Sequence, residues 1–185
     1  MDLPILHTAR LTLRPWALDD VERLHALWTD PDVRRYLWDN AVIPRERAEE
    51  AVRAAIDCAA REGFGEWTVI DDATAVLAGF CGLLRREPAG DPELMYGLAP
   101  AFWGRGLATE AARAVLAHGF GTVGLARVIA ATDVPNTASA RVMERLGMRF
   151  THRGTLNGLD TVFYEIRRDD FDASAPATAR RTARR

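Results

Sequence analysis

The feature that most constrains this chain is residues 93–112, in which a short apolar run precedes a glycine-rich turn and a helical pattern. The run at 94–98 has the length and bounding residues of a strand. Gly104, Arg105 and Gly106 then lead into apolar residues at helical spacing. The first amides of a helix have no partner within it and carry partial positive charge. The stretch is therefore predicted to form a strand, a turn and a helix N-terminus that suits a phosphate or pyrophosphate.

Three interpretations of the turn compete. A P-loop requires Lys and then Ser or Thr after the last glycine, and Leu107 and Ala108 stand there instead. A dinucleotide fingerprint calls for Gly or Ala where Thr109 stands, and for an acidic residue about 20 positions later, which residues 124–127 do not offer. The third interpretation, a plain tight turn, stays open on the motif alone because two glycines are common in such turns.

Length and composition predict one domain. The chain has 185 residues and is 48% hydrophobic, which suits a single core that we assign to residues 1–172. From residue 173 the chain contains only Ala, Thr, Ser, Pro and Arg, so residues 173–185 are predicted to be a disordered tail. The net charge of -2 excludes a global attraction to nucleic acid or anionic membranes, and neither is expected as a partner.

The chain is expected to be cytoplasmic and free of metal. It shows no signal peptide, and no apolar run approaches the roughly 20 residues of a membrane span. Cys58 and Cys81 lie in apolar patterns and are predicted to be buried thiols, because a disulfide is disfavoured in a reducing compartment. The four histidines show no ligand spacing.

The remaining pattern predicts a mixed α/β (α+β) fold with an antiparallel meander before the glycine turn. Strands are predicted at 11–14, 67–70, 76–84, 94–98, 127–131, 148–151 and 161–166. Helices are predicted from Asp19, capped together with Glu22, from Pro44 to Gly63, after Gly106, and from 137 to 146 with Asn136 as cap. Residues 32–43 are predicted to be a short helical turn or loop, and Asn157-Gly158 a hairpin turn.

Four blocks resemble the GNAT N-acetyltransferase superfamily, and within it the RimJ/RimL-like branch. In chain order they are T-A-R-L-T-L-R-P-W with D-D-V-E-R-L, E-L-M-Y-G-L, F-W-G-R-G-L-A-T-E-A, and N-T-A-S-A-R-V-M-E-R-L-G-M. The resemblance implies a mostly antiparallel, splayed sheet flanked by helices. It also implies acetyl-CoA as co-substrate, with its pantetheine between the strand ending near Leu98 and the strand beginning near Arg127.

The resemblance also implies which residues contact acetyl-CoA. They are Tyr96, Leu98, Trp103, Gly104, Arg105, Gly106, Leu107, Ala108, Thr109 and Asn136. The family signature has Gln or Arg where Ala101 stands, but the cradle is built from backbone amides and the two glycines are kept. Arg105 can add a charge-assisted contact to a phosphate or be solvated, and the sequence leaves both open.

Direct transfer to a primary amine, without an acyl-enzyme, is the expected reaction. Glu93 is the candidate base, acting through water, with an exposed strand-edge carboxylate as the alternative. Many superfamily members carry a thiolate-protonating Tyr where Met143 stands here. Ser139 matches the Ser that the RimJ/RimL-like pattern places near the sulfur, although Ser is also common in the first turn of a helix. Tyr164 is a substitute acid or acceptor contact.

The acceptor side is predicted less specifically. Aromatic residues are candidates for the wall of the acceptor cleft, although such side chains are more often core; they are Trp28, Tyr36, Trp38, Phe64, Trp67 and Tyr164. The acceptor is a protein N-terminal amine or a small-molecule amine, and the protein a monomer or homodimer. Since the family Gln/Arg and Tyr are missing, a non-catalytic acyl-CoA-binding regulatory module is the alternative function.

Overall fold

A single mixed sheet organises the protein. The computed structural model describes residues 3–86 and 90–172, so the predicted tail lies outside the described residues. Within those ranges eight strands form one sheet in the order β1-β2-β3-β4-β5-β6-β8-β7. The strands are β1 Leu6–His7, β2 Leu11–Pro15, β3 Glu66–Asp71, β4 Val76–Leu84, β5 Glu93–Leu98, β6 Arg127–Asp133, β7 Arg149–Leu156 and β8 Leu159–Arg167.

Helices cover the sheet on both faces. They are α1 Val21–Thr29, α2 Pro31–Arg34, α3 Arg45–Glu62, α4 Leu107–His118 and α5 Thr137–Arg145. The long helix α3 follows Pro44 and ends at Gly63, whose φ of 73° is the left-handed conformation that favours glycine. The mixed α/β prediction, with a mostly antiparallel sheet flanked by helices, is therefore confirmed.

The sheet opens between β5 and β6. Every other neighbouring pair of strands in the described sheet is antiparallel, whereas β5 and β6 run parallel and share the single registered pair Glu93 and Ile129. The Ile129 amide donates to the Pro92 carbonyl at 2.9 Å. Beyond this point the two strands separate, as expected for a splayed sheet, and the free edge of β5 faces the gap.

Two hydrophobic cores fix the sheet between its helices. One core packs α1 and α3 on the face that carries Phe80, and Trp28 and Leu24 are its buried anchors. The other core packs α4 and α5 on the opposite face, around Trp67 and Leu116. Each fully buried large apolar side chain contributes about 1.5–3 kcal/mol. The sheet is thus packed between a layer of α1 and α3 on one face and a layer of α4 and α5 on the other.

Three local features differ from the sequence prediction. Strand β1 was not predicted, because two residues give no readable period. A 3₁₀ turn, Leu18–Asp20, precedes α1, and Asp20 rather than Asp19 closes it by accepting the Ala17 amide at 2.9 Å. The same buried carboxylate pairs with Arg14 at 2.6 Å, which the local pattern could not reveal.

Among the described residues, no helix is long and apolar enough to cross a bilayer. No group of three or more His, Cys, Asp or Glu side chains is placed to hold a metal ion within the same residues. Cys58 and Cys81 are both buried free thiols.

Candidate active site

A cavity of about 460 Å³ occupies the place where the sheet opens. Its walls come from β5, the glycine turn, the first turn of α4, the exposed side of α5 and the segment around α2. All of the residues predicted to contact acetyl-CoA line this cavity except Arg105. The structure thus brings together residues that lie about 40 positions apart in the sequence on β5 and α5.

The glycine turn requires glycine at two positions. Gly104 has a φ of 71° and Gly106 a φ of 77°, both in the left-handed region where other residues are strained. Gly106 directly precedes α4, whose first-turn amides have no acceptor within the helix. The turn therefore presents backbone donors to the cavity at a positive helix end.

Arg10 lies outside the cavity wall and holds this turn in place. The sequence did not predict this role for Arg10. Its Nη1 donates to the Arg105 carbonyl at 3.0 Å, and its Nε donates to Glu110 Oε2 at 2.8 Å. Thr8 adds a hydroxyl donor to Glu110 at 2.7 Å. Partial burial tends to raise the pKa of Glu110, but the hydrogen bonds from Thr8 and Arg10 outweigh it and the pKa is lowered. The ion pair with Arg10 is thus retained at neutral pH.

The free edge of β5 presents backbone groups to the gap. Hydrogen-bonding groups alternate sides along a strand, and the Ala99 amide points toward β4, where it donates to Ala78 at 2.8 Å. The amides and carbonyls of Tyr96 and Leu98 therefore point the other way, toward β6. The Trp103 indole occupies one of these groups by donating to the Leu98 carbonyl at 2.7 Å.

Two hydroxyls meet across the opening. The Tyr96 hydroxyl lies 2.8 Å from Ser139 Oγ and donates to the Ser139 carbonyl at 3.0 Å. Asn136 caps α5 by accepting the Ser139 amide at 3.3 Å, which fixes the first turn of that helix. Burial is the main cause that raises the pKa of Tyr96 well above its ordinary value. A role for the Tyr96 hydroxyl was not predicted, because only the fold brings β5 against α5.

The side chains near the turn fit a phosphorylated ligand. Thr109 Oγ1 lies in the cavity wall, is buried, and has no hydrogen-bond partner among the described residues. Arg141 and Arg145 of α5 also line the cavity. Arg105, the predicted phosphate contact, instead pairs with buried Asp71 at 3.6 Å. Near the turn, the donors that face the cavity thus include backbone amides, the Thr109 hydroxyl and the guanidinium groups of Arg141 and Arg145.

Glu93, the predicted base, lies beside the cavity rather than in its wall. Its side chain is 8% exposed, and it accepts a hydrogen bond from Arg86 Nε. It opens β5 at the residue that pairs with β6, immediately before the strands separate. It is therefore a buried, ion-paired carboxylate and not an exposed strand-edge one.

The predicted acceptor aromatics divide into three groups. Tyr36 lines the cavity and is 38% exposed. Trp28 and Trp38 lie behind the wall, where Trp28 makes edge contacts with Trp38 and Phe80. Phe64, Trp67 and Tyr164 are buried in the core on the α4 side and do not line the cavity.

Residues of the α2 segment form the outer wall of the cavity. Asp30 caps α2 by accepting the Asp32 amide at 2.9 Å, and Pro31 starts the helix. The segment then places Arg35, Tyr36 and Leu37 against the cavity. The sequence showed no clear period here, and of the two residues predicted from this segment, Tyr36 and Trp38, only Tyr36 lines the cavity.

Residues 10–149 match the family described as the acetyltransferase (GNAT) domain. The protein belongs to the GNAT acetyltransferase family. This GNAT chain is 32% identical over 168 residues to the FsC-acetyl coenzyme A-N(2)-transacetylase of Aspergillus fumigatus, covering 85% of the chain and 70% of that protein. It is 28% identical over 145 residues to the uncharacterized N-acetyltransferase p20 of Bacillus licheniformis, covering 78% and 82% respectively.

Solved GNAT structures share the fold. A GNAT-family acetyltransferase from Bordetella pertussis superimposes with a TM-score of 0.77 at 27% identity, covering 88% of this chain and 98% of that one. RimL, the ribosomal L7/L12 alpha-N-protein acetyltransferase in complex with coenzyme A, gives a TM-score of 0.76 at 22% identity, with 89% and 98% covered. At 22% identity, the likeness to RimL shows a shared fold.

Proposed function

We propose that this GNAT protein transfers the acetyl group of acetyl-CoA directly to a primary amine. The observation that carries the proposal is the cavity at the β5 and β6 opening, where phosphate-binding amides, a free strand edge and a hydroxyl pair meet. GNAT enzymes use acetyl-CoA, and each of these three parts matches one part of that molecule.

Acetyl-CoA would be held along the cavity from its nucleotide end to its thioester. The amides from Gly104 to Thr109 receive the pyrophosphate, whereas the Trp103 amide already donates to the Pro100 carbonyl at 3.1 Å. The Thr109 hydroxyl gains the partner that it lacks, and Arg141 and Arg145 face the phosphates. The pantetheine amides then pair with the edge groups of Tyr96 and Leu98, as an added strand would. The Leu98 carbonyl is excluded, because Trp103 already bonds it.

Acetyl transfer forms a C–N bond and breaks the C–S bond of the thioester. The amine loses a proton during attack, and Glu93 accepts it through water as the proposed base. A backbone amide at the edge of β5 stabilises the oxyanion. Because both substrates are held together, alignment supplies much of the rate, and no covalent enzyme intermediate is needed.

The departing thiolate is stabilised by the Tyr96 and Ser139 hydroxyls. Since the pKa of Tyr96 is raised, this group stays neutral and acts as a hydrogen-bond donor rather than as a strong acid. Ser139 connects it to the first turn of α5. The pair would replace the family Tyr, whose place is taken by Met143, a core residue that is 1% exposed.

The acceptor class is proposed as a protein N-terminal amine or a small-molecule amine. The name of RimL describes a protein alpha-amine acceptor, and the name of the Aspergillus relative describes transfer at an N(2) position. The wall formed by Arg35, Tyr36 and Leu37 is the part of the cavity that would contact the acceptor. The same segment also places Asp32 at the cavity, where it pairs with Arg35 at 3.6 Å, so the wall combines an ion pair with apolar surface.

A thiol-release screen tests the proposal. Acetyl-CoA is incubated with the protein and with N-terminal peptides, polyamines, aminoglycosides or amino acids, and free CoA thiol is measured. At least one amine is expected to give steady release, and Ser139→Ala is expected to lower kcat about tenfold while acetyl-CoA binding is retained. Heat of binding with acetyl-CoA but no release with any amine would contradict the proposal and favour the acyl-CoA-binding module.

A further inference from the structure

A second ionisable cluster lies on the α3-side face of the sheet, outside the cavity wall. It consists of Glu66 on β3, Glu93 on β5 and Arg86, which follows β4. Glu66 pairs with Gly82, and Gly82 pairs with Met95, two residues from Glu93, so all of these positions share one face. The two carboxyl groups therefore approach each other across β4.

Gly82 makes this approach possible. A Cβ atom at position 82 would lie 2.4 Å from Glu66 Oε2 and 2.6 Å from the Glu66 Cα. No side chain fits at these distances, so any residue other than glycine would displace the Glu66 carboxyl. The absence of a side chain at 82 thus leaves the space over β4 that the carboxyl group occupies.

The two carboxyl groups differ in their partners. Glu66 is 5% exposed and Glu93 6% exposed. Arg86 donates to Glu93, whereas Glu66 Oε2 is buried and has no hydrogen-bond partner among the described residues. An ionised carboxylate buried without a donor is strongly disfavoured, so Glu66 favours its neutral form. Burial, and then the charge of Glu93, raise the pKa of Glu66 to about 8, although Arg86 opposes them.

We propose that Glu66 is a positioning residue for Glu93: its neutral carboxyl leaves the Arg86 guanidinium to Glu93 alone and so holds the Glu93 carboxyl in place as the proton acceptor. The inference rests on the proposed acetyl transfer. The amine proton moves through water to the Glu93 carboxylate and is then released to solvent, while Arg86 stays protonated and paired with Glu93. Glu66 keeps its own proton throughout the cycle.

The other charged groups on the elements around this cluster have partners of their own. Arg85 pairs with Glu62 of α3 at 3.1 Å, and the Arg14 and Asp20 pair occupies the β2 side. The nearby thiol on β4 is Cys81, and burial raises the pKa of that thiol, so it is neutral. On α1, Glu22 pairs with Arg45 and His25 contacts the Ile43 carbonyl. When Glu66 ionises, the remaining cation of its cluster is Arg86, and two carboxylates then compete for it.

Carboxyl NMR tests the pair directly on the full chain. With glutamate labelled with ¹³C at Cδ, the signal lost in Glu66→Gln is expected to titrate near pH 8 in the wild type, and its midpoint is expected to fall by at least one pH unit in Glu93→Gln. Glu50→Gln, which removes an exposed carboxylate of α3, is the matched control and should leave the signal unmoved. The inference would be overturned if Glu66 titrates in the ordinary range near pH 4. It would also be overturned if the Glu66 midpoint is the same in Glu93→Gln as in the wild type.

Kinetics test the positioning role. With a pKa of about 8, about one-tenth of Glu66 is neutral at pH 9, so the ratio of wild-type kcat to Glu66→Gln kcat is expected to fall about tenfold between pH 7 and pH 9. A constant ratio would show that Glu66 is merely structural. If Glu66→Gln does not fold, Glu66→Met, which also removes the ionisable carboxyl, replaces it in both measurements. If no amine gives thiol release, the proposed acetyl transfer fails, but the NMR titration still tests whether Glu66 and Glu93 interact. The two proposals can therefore be rejected independently.

Discussion

We propose that Tyr96 takes a chemical role that the family places on another element. The family position for a thiolate-protonating Tyr is Met143, which is buried in the core of this protein. Tyr96 reaches from β5 to Ser139 on α5 and provides a hydroxyl at the cavity instead. No local pattern marks this substitution, because a Tyr in a strand usually indicates packing. The contact between Tyr96 and Ser139 can be recognised only in the folded structure, where β5 lies against α5.

The buried Glu66 carboxyl also affects stability, independently of catalysis. Its pKa is about 8 in the folded protein and near the ordinary Glu value in the unfolded chain. Between those two values the folded state holds a proton that the unfolded state has released. The free energy of unfolding contributed by this group is therefore full at low pH and falls as pH rises toward 8.

Glu66→Gln should remove this pH dependence. Relative to the wild type, the free energy of unfolding of Glu66→Gln is expected to rise by about 3 kcal/mol between pH 5 and pH 7, since each pH unit contributes about 1.4 kcal/mol. Urea unfolding at a series of pH values measures the difference. Glu50→Gln serves as the exposed control. Parallel stability curves for the wild type and Glu66→Gln would contradict the raised pKa.

At the scale of elements, the glycine turn depends on the β1 to β2 connection. Arg10 and Thr8 from that connection hold Glu110 in the first turn of α4 and the carbonyl of Arg105 in the turn itself. The contacts span about 100 positions of sequence. The shape of the glycine turn, the proposed acetyl-CoA cradle, is thus set partly by a segment that does not line the cavity.

Arg10→Ala should weaken acetyl-CoA binding more than it weakens the fold. The Arg10 side chain is 46% exposed, so loss of its ion pair should lower the free energy of unfolding by about 1 kcal/mol or less. Because the glycine turn then loses the hydrogen bond from Arg10 to the Arg105 carbonyl, the Kd for acetyl-CoA is expected to rise about tenfold, as measured by calorimetry. Arg53→Ala removes a comparable exposed pair with Glu49 on α3 and should leave Kd unchanged. An unchanged Kd in Arg10→Ala would show that Arg10 does not hold the glycine turn in its binding shape.

Elements with a long period or a defined cap were predictable from the sequence. The α3 span between Pro44 and Gly63 and the strand, turn and helix around Gly104 follow from local rules that the fold obeys. Strand β1 and helix α2 are too short to show a period, and they exist because neighbouring elements hold them. The sequence therefore predicts the cradle of the site but not its α2 wall.

The catalytic neighbourhood was less predictable for a different reason. Glu93 could be named from its position, but its burial and its Arg86 partner are tertiary facts. The interaction of Glu66 with Glu93 depends on the register of three strands and on Gly82 between them. Strand register cannot be read from apolar pattern alone when both faces of the sheet are covered.

Across the whole molecule, the opening divides the sheet into two parts. Strands β1 to β5 form one part, and β6, β8 and β7 form the other. Among the described residues, the strands of the two parts share one registered pair, while side-chain contacts such as Tyr96 with Ser139 and Arg127 with Asp91 cross the division. A ligand that pairs with the β5 edge would therefore add backbone hydrogen bonds where the strands of the two parts share one registered pair, beside the core that packs against both parts.

Hydrogen exchange with two ligands tests whether acetyl-CoA spans this opening. Acetyl-CoA should slow exchange of the amides at both the α4 N-terminus and the β5 edge, because its phosphates and its pantetheine each find partners. Adenosine 3′,5′-bisphosphate, which lacks pantetheine, should protect Leu107, Ala108 and Thr109 but leave Tyr96 and Leu98 as exposed as in the free protein. Mass spectrometry of matched peptides, at ligand concentrations about 100 times each Kd, makes the occupancies equal. Equal protection of the β5 edge by both ligands would mean that the strand responds to phosphate binding alone and that pantetheine does not lie along it.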